Sequence, residues 1–197
     1  PLFTEMDLKT GKSHYFFTFF SEPFQYGAVK SGCAMWCKKG CDAGMNFRHE
    51  WKHPINYADL LAVRQRLQAV AGPDSHAPEG KYFVRSLYFD TPSDTALREK
   101  LDGVNQREKF RIRYYNRDPS LIHLEKKSKR NSLCWKESAA LSQAEAQAAA
   151  DGVLDWMPDC GRPLVRELYR KMTCQLLRPK TIVDYTREAF VYAPGNV

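Results

Sequence analysis

No apolar run in this 197-residue chain is long enough to cross a membrane: the longest near-apolar stretch is residues 15–20, against the roughly 20 residues a spanning helix needs. No basic segment leading into an apolar one stands at the start, so no secretory signal pattern is visible, and the expectation is a soluble, cytoplasmic protein. Cysteine is sparse. There are 6, at Cys33, Cys37, Cys41, Cys134, Cys160 and Cys174, with no C-x-x-C pair. Residues 33, 37 and 41 recur every four positions without a clear fourth ligand, which favours free thiols over a metal site. Internal repeats and low-complexity tracts are absent, which excludes solenoids and arrays. Acidic residues are outnumbered, 23 against 30 Lys and Arg, for a surplus of +7.

That surplus is local. Residues 107–136 hold ten basic side chains (Arg107, Lys109, Arg111, Arg113, Arg117, Lys126, Lys127, Lys129, Arg130, Lys136) and three acidic ones (Glu108, Asp118, Glu125), which equals the surplus of the whole chain. Such a concentration points to a polyanion or a phosphate-rich ligand.

Residues 1–44 differ from the rest. They carry half the cysteines and a Phe/Tyr cluster without sustained periodicity. They read as an N-terminal extension of uncertain status, expected to make few contacts with the domain at 45–197. From Met45 the pattern sharpens. Residues 46–53 alternate as a strand, and Asn56 caps a helix running to about Val70. Residues 82–90 form a strand, and Ser93 caps a short helix ending near Leu101. Residues 106–116, 121–129 and 132–139 form a meander, with its first turn at Asp118-Pro119. Ser142 and Glu145 make a capping box before an Ala-rich helix. Pro163 opens a helix with the stripe Leu164, Leu168, Met172 and Leu176, Pro179 ends it, and residues 181–192 form a last strand. The count favours an α+β fold with an antiparallel sheet.

The chemistry lies in the alternation. Arg107, Lys109, Arg111 and Arg113 fall at period 2 and share one strand face, with Phe110, Ile112 and Tyr114 opposite. Other strands repeat the device: Arg48, Glu50 and Lys52; His123, Glu125, Lys127 and Lys129; Lys136; Tyr185 with Arg187. Several ionic strand faces need a common location. A barrel with its apolar faces turned out against helices and its ionic faces turned in supplies one. Its cationic lumen suits a triphosphate or longer phosphate chain, and Glu50 and Glu125 are candidate ligands for a divalent ion bridging phosphate oxygens. A nucleic acid is not expected, because Phe110 and Tyr114 lie opposite the basic face and build no stacking platform on it.

The ordered set Arg48-x-Glu50-x-Lys52, Ser86-Leu87-Tyr88-Phe89-Asp90-Thr91, Arg107-x-Lys109-x-Arg111-Ile112-Arg113, Leu124-Glu125-x-Lys127, Lys136-Glu137-Ser138 and Tyr185-x-Arg187-x-Ala189-Phe190 resembles the VTC-type polyphosphate polymerase domain. That domain belongs to the triphosphate tunnel metalloenzymes, a CYTH-like superfamily. The resemblance implies an antiparallel tunnel barrel with helices outside. It implies transfer of the γ-phosphate of ATP onto polyphosphate, with Mn²⁺ or Mg²⁺. It assigns Lys52, Arg111, Arg113, Lys127, Lys136 and Arg187 to phosphate-gripping catalytic positions, with Arg107, Lys109 and Tyr185 as substrate-binding neighbours. Glu50 matches the superfamily's acidic first-strand position, while Arg48 replaces a glutamate common there. Further tunnel strands are implied after Val197, so the tunnel is expected to be incomplete in this chain. Two other readings stay open: a CYTH-type triphosphate hydrolase or cyclase, and a non-catalytic polyphosphate binder or sensor.

Overall fold

The computed structural model describes residues 2–6, 13–20, 50–74, 77, 79–131 and 133–192. In chain order its elements are β1 (Leu2–Met6), β2 (Ser13–Phe20), β3 (Glu50–Ile55), α1 (Tyr57–Val70), β4 (Gly72–Pro73), β5 (Lys81–Asp90), α2 (Thr95–Leu101), β6 (Arg107–Tyr115), β7 (Asp118–Arg130), β8 (Leu133–Leu141), α3 (Gln143–Asp151), α4 (Pro163–Cys174), β9 (Arg178–Glu188) and β10 (Phe190–Val191). Eight strands form one sheet in the order β3-β2-β1-β9-β5-β6-β7-β8, and β4 pairs with β10 separately. Every pairing in the large sheet is antiparallel. Among the described residues β3 and β8 remain its edges, so the sheet is open. This is the α+β, incompletely closed barrel expected. No described helix is long and apolar enough to cross a membrane.

The core follows from alternation. Phe110 and Ile112 on β6, and Ile122 and Leu124 on β7, are buried with Leu164, Val165, Leu168 and Met172 of α4 and Ala146 and Ala149 of α3. Each Leu-sized side chain removed from water contributes roughly 1.5–3 kcal/mol. The helices begin where local chemistry satisfies their free N–H groups. Asn56 caps α1, and Ser142 caps α3 with Glu145 reciprocating. Pro163, at the first position of α4, lacks the N–H that would otherwise be orphaned.

Several local expectations need correction. The first turn of the meander is Asn116-Arg117, with φ of +50° and +58°, the left-handed pair of a two-residue hairpin; Asp118 and Pro119 already belong to β7. Helix α4 stops at Cys174, well before Pro179. Leu176 takes φ +57° and is exposed, while Leu177 enters the core in its place. Residues 1–44 were expected to contact the sheet little, yet β1 pairs with both β2 and β9, and β2 pairs with β3. The Phe/Tyr cluster is thus largely a sheet strand. Of the first expected strand, Arg48 and His49 lie outside the described residues.

Helix α2 is also capped differently from expectation. Asp94 is its N-cap residue and makes no side-chain cap bond. The work falls to Asp90, at the end of β5. Its carboxylate accepts N–H bonds from Thr91 at 2.8 Å, Ala96 at 2.9 Å and Leu97 at 3.1 Å. Asp90→Ala is expected to cost about 1–2 kcal/mol in a urea titration. Ser93→Ala is expected to cost less than about 0.5 kcal/mol.

Candidate functional site

Register brings the charged faces together. Along β6, Lys109, Arg111 and Arg113 stand opposite Lys127, Glu125 and His123 of β7. Along β7, Lys127 and Glu125 stand opposite Lys136 and Ser138 of β8. Lys109, Lys127 and Lys136 therefore form one row across three strands, and Arg111, Glu125 and Ser138 the next. On the other flank β5 sets Tyr88 opposite Arg111 and Ser86 opposite Arg113. Strand β9 sets Tyr185 and Arg187 opposite Val84 and Tyr82 of β5.

The contacts converge on Glu125, which is 3% exposed. Arg111 donates to its Oε2 from Nε at 2.8 Å and lies 2.6 Å from it through Nη2. Lys136 Nζ reaches Oε1 at 3.3 Å, and Arg113 Nη1 stands 3.8 Å from Oε2. Arg111 also donates to the Tyr88 hydroxyl at 3.0 Å, and Arg113 to Ser86 Oγ at 2.9 Å. Arg113 lies over the Tyr185 ring at 5.7 Å and Arg187 over Tyr82 at 5.6 Å. Lys109 and Arg111 lie over Tyr88 at 5.6 and 5.8 Å. The floor is thus buried, while Lys136 at the rim has a side chain 45% exposed.

Charge governs the titration of the floor. Burial would raise the Glu125 pKa, but Arg111, Arg113 and Lys136 outweigh it and bring it down to about 2. Burial likewise opposes ionisation of Tyr88, yet Arg111, Lys109 and Arg113 lower its pKa to about 8. The Lys109 ammonium is depressed by burial and by repulsion from Arg111 and from Lys52. Lys52 belongs to β3, and four strands separate β3 from β6 in the sheet. For Lys52 to repel Lys109, the sheet must curl and bring β3 toward the ionic face of β6. Tyr185 is raised by burial against the pull of Arg113 and Arg111.

The expected residues therefore group as follows. Arg111, Arg113, Lys109, Lys127, Lys136, Tyr185 and Arg187 share the ionic face, and Lys52 of β3 is near enough to repel Lys109. Arg107 is engaged locally, donating to the Val104 carbonyl at 2.9 Å. Glu50 heads β3, and its side chain lies outside the described residues. The donor set at Glu125 does not suit a divalent cation: both oxygens already meet cationic groups, and a second positive ion there would be repelled by them. Among the described residues no cluster of three His, Cys, Asp or Glu could hold a metal.

Other charges have structural work. Lys126 points to the helix side and bridges Glu167 at 2.6 Å, Glu108 at 3.4 Å and Glu137 at 3.6 Å. Arg85 holds Asp184 on the outer face, at 2.7 Å through Nε and 2.5 Å through Nη2. The sequence reading missed Tyr82, Tyr88 and Ser86, which line the ionic face. The aromatics are therefore not all opposite the basic residues, but Lys109 and Arg111 lie over the Tyr88 ring and Arg187 over the Tyr82 ring. His123 Nδ1 is buried without a hydrogen-bond partner.

Tyr88 offers a spectroscopic handle. One tyrosine is expected to ionise near pH 8 in a tyrosinate absorbance titration, and Tyr88→Phe is expected to remove that transition. Because the neighbouring cations favour the phenolate, adding tripolyphosphate should neutralise them and move the transition to higher pH.

A family model for the VTC domain matches residues 47–197. No curated protein matches the chain.

Proposed function

Because the chain belongs to the VTC domain family, we propose that it is a phosphotransferase domain of the polyphosphate polymerase type, acting on ATP and polyphosphate. In this reading a terminal phosphate oxygen of the growing chain attacks the γ-phosphorus of ATP. The bond from that phosphorus to the β–γ bridging oxygen breaks, and ADP leaves. Phosphoryl transfer of this kind depends on positioning and on charge more than on a strong base. Arg111, Arg113, Lys127, Lys136, Lys52 and Arg187 supply the charge, and Lys109, Arg107 and Tyr185 flank the path. Fixed guanidinium and ammonium groups stabilise the equatorial oxygens of the transferred group without reorganising at the moment of reaction.

The observation that carries this reading is the in-register row Lys109–Lys127–Lys136 beside Arg111 and Arg113. Like charges directly opposite on neighbouring strands destabilise a sheet. A chain of phosphates laid along the groove reverses that cost, with one oxyanion for each cation. Mn²⁺ or Mg²⁺ belongs to the reading as the companion ion of the triphosphate, with Glu50 as its candidate protein ligand. The proposed setting is the cytoplasm.

Incubation with ATP and Mn²⁺, followed by a polyphosphate gel, tests the proposal. A polymer ladder supports it. Orthophosphate release without polymer favours the CYTH-type hydrolase, cyclic nucleotide formation favours the cyclase, and tight binding without turnover favours a polyphosphate sensor.

A further inference from the structure

Among the described residues Glu125 is the acidic side chain set within the cationic group, and its surroundings define what it can do. Its Oε2 receives both Nε and Nη2 of Arg111, with Arg113 Nη1 at 3.8 Å, and its Oε1 meets Lys136 at 3.3 Å. The two arginines are held from the opposite side by hydroxyls of β5, Tyr88 for Arg111 and Ser86 for Arg113. Arg111 is clamped between the carboxylate and a hydroxyl, Arg113 is bonded to Ser86 with the carboxylate 3.8 Å away, and both keep further N–H groups for an incoming oxyanion. Four cations, Lys109 among them, would otherwise repel one another across neighbouring strands.

We propose that Glu125 is a positioning residue: it holds Arg111, Arg113 and Lys136 in the arrangement that receives a phosphate chain, and it does not ligate a metal ion. The inference rests on the phosphate-chain reading of the groove for its purpose, but not for its test. A carboxylate surrounded in this way has no oxygen turned to a cation-free space. Its single negative charge keeps the group assembled while leaving a net positive surface for the ligand. Lys136, half exposed at the rim, is the partner most able to swing from Glu125 to an incoming phosphate. Arg111 stays anchored by its two bonds to Oε2.

Two measurements on the full chain decide this without any need for turnover. In the first, the wild-type protein is titrated with Mn²⁺ alone and amide NMR signals are followed. The signals of Leu124, Glu125 and Lys126 are expected to broaden no more than those of their neighbours on β6 and β8, and broadening centred on these three overturns the inference. In the second, hydrogen exchange at the Nε–H groups of Arg111 and Arg113 is compared with Glu125→Gln. Exchange is expected to accelerate at least about tenfold at Arg111 in the variant, as its Nε loses the carboxylate, while Arg113 Nε, bonded to Ser86, serves as the comparison. Unchanged exchange at Arg111 overturns the positioning role. Mn²⁺ affinity is expected to be the same in both proteins, and a tenfold loss in the variant overturns the proposal. Should the Gln variant fail to fold, Glu125→Asp keeps the charge but withdraws it by one methylene, and the same exchange comparison applies. Where polymerase activity is measurable, Glu125→Gln should lower kcat about tenfold or more with little change in KM, and Glu125→Asp should recover part of it. Failure of tripolyphosphate to bind the wild-type chain would count against the phosphate reading of the groove, while the Mn²⁺ and exchange results would still be readable.

Discussion

Arg111→Ala is expected to lower polyphosphate synthesis by about 10²-fold or more, the usual cost of losing one fixed charge aimed at a reacting centre. Arg111 has the strongest claim among the cations. Its guanidinium bonds Glu125 and Tyr88 at once and lies over the Tyr88 ring, so its direction is set before any ligand arrives. Arg111→Lys is expected to recover little, because an ammonium cannot make the same set of planar contacts. The comparison is Lys129→Ala, toward the end of β7 opposite Arg107, expected to change turnover less than about twofold. That figure is the bound of roughly 0.5 kcal/mol for a substitution away from such a cluster. A urea titration of each variant separates lost charge from lost fold, since Arg111→Ala also leaves the buried Glu125 short of its closest partner. An Arg111→Ala enzyme with near wild-type turnover would remove the groove from the mechanism.

Removing residues 1–20 is expected to cost well over about 2 kcal/mol, the scale of a substantial core defect, and to separate Lys52 from the other cations. The reason is topological. Strand β1 is paired along its whole length on both sides, with β2 and with β9. Among the described residues strand β3, which carries Lys52, joins the sheet only through β2. Deletion leaves a row of β9 N–H and C=O groups without strand partners and sets β3 loose. The measurement is denaturant unfolding of the shortened chain, with the Lys109 pKa followed by NMR. Loss of the repulsion from Lys52 should raise it, since that repulsion is part of what depresses it. A shortened chain as stable as the full one would return residues 1–20 to the status of an appendage.

What could be read from the residues was whatever a single strand or helix end decides by itself. The period-2 rows of β6 and β7 place Arg111, Arg113 and Lys127 on one face and Phe110, Ile112 and Leu124 on the other. The capping boxes at Asn56 and Ser142 mark two helix starts. What could not be read depends on register or on patterns without contrast. Residues 83–90 mix apolar and polar side chains on both faces, so no alternation in them marks Tyr88 and Ser86 as members of the ionic side. Glu125 reads as a free carboxylate until pairing sets Arg111 on one side of it and β8 brings Lys136 to the other. The run Tyr15 to Phe20 has no alternation from which to tell a sheet strand from an appendage. The turn at Asn116-Arg117 is hidden because Asp118-Pro119 carries the stronger turn signal, although Pro119 fits equally near the start of a strand.

On the proposed reading the cationic face receives a phosphate chain and does not take polyanions in general. Calorimetric titration of the full chain with tripolyphosphate and with a single-stranded nucleic acid of matched charge, both at one fixed salt concentration, tests it most directly, because salt alone changes such affinities greatly. Among the described residues the rings of Tyr88, Tyr185 and Tyr82 on that face each have a cationic group over them, which leaves bases less ring surface on which to stack. Tripolyphosphate is expected to bind at least about tenfold more tightly, a difference of roughly 1.4 kcal/mol. Equal affinity for the two ligands would contradict the claim and describe the face as an open basic surface.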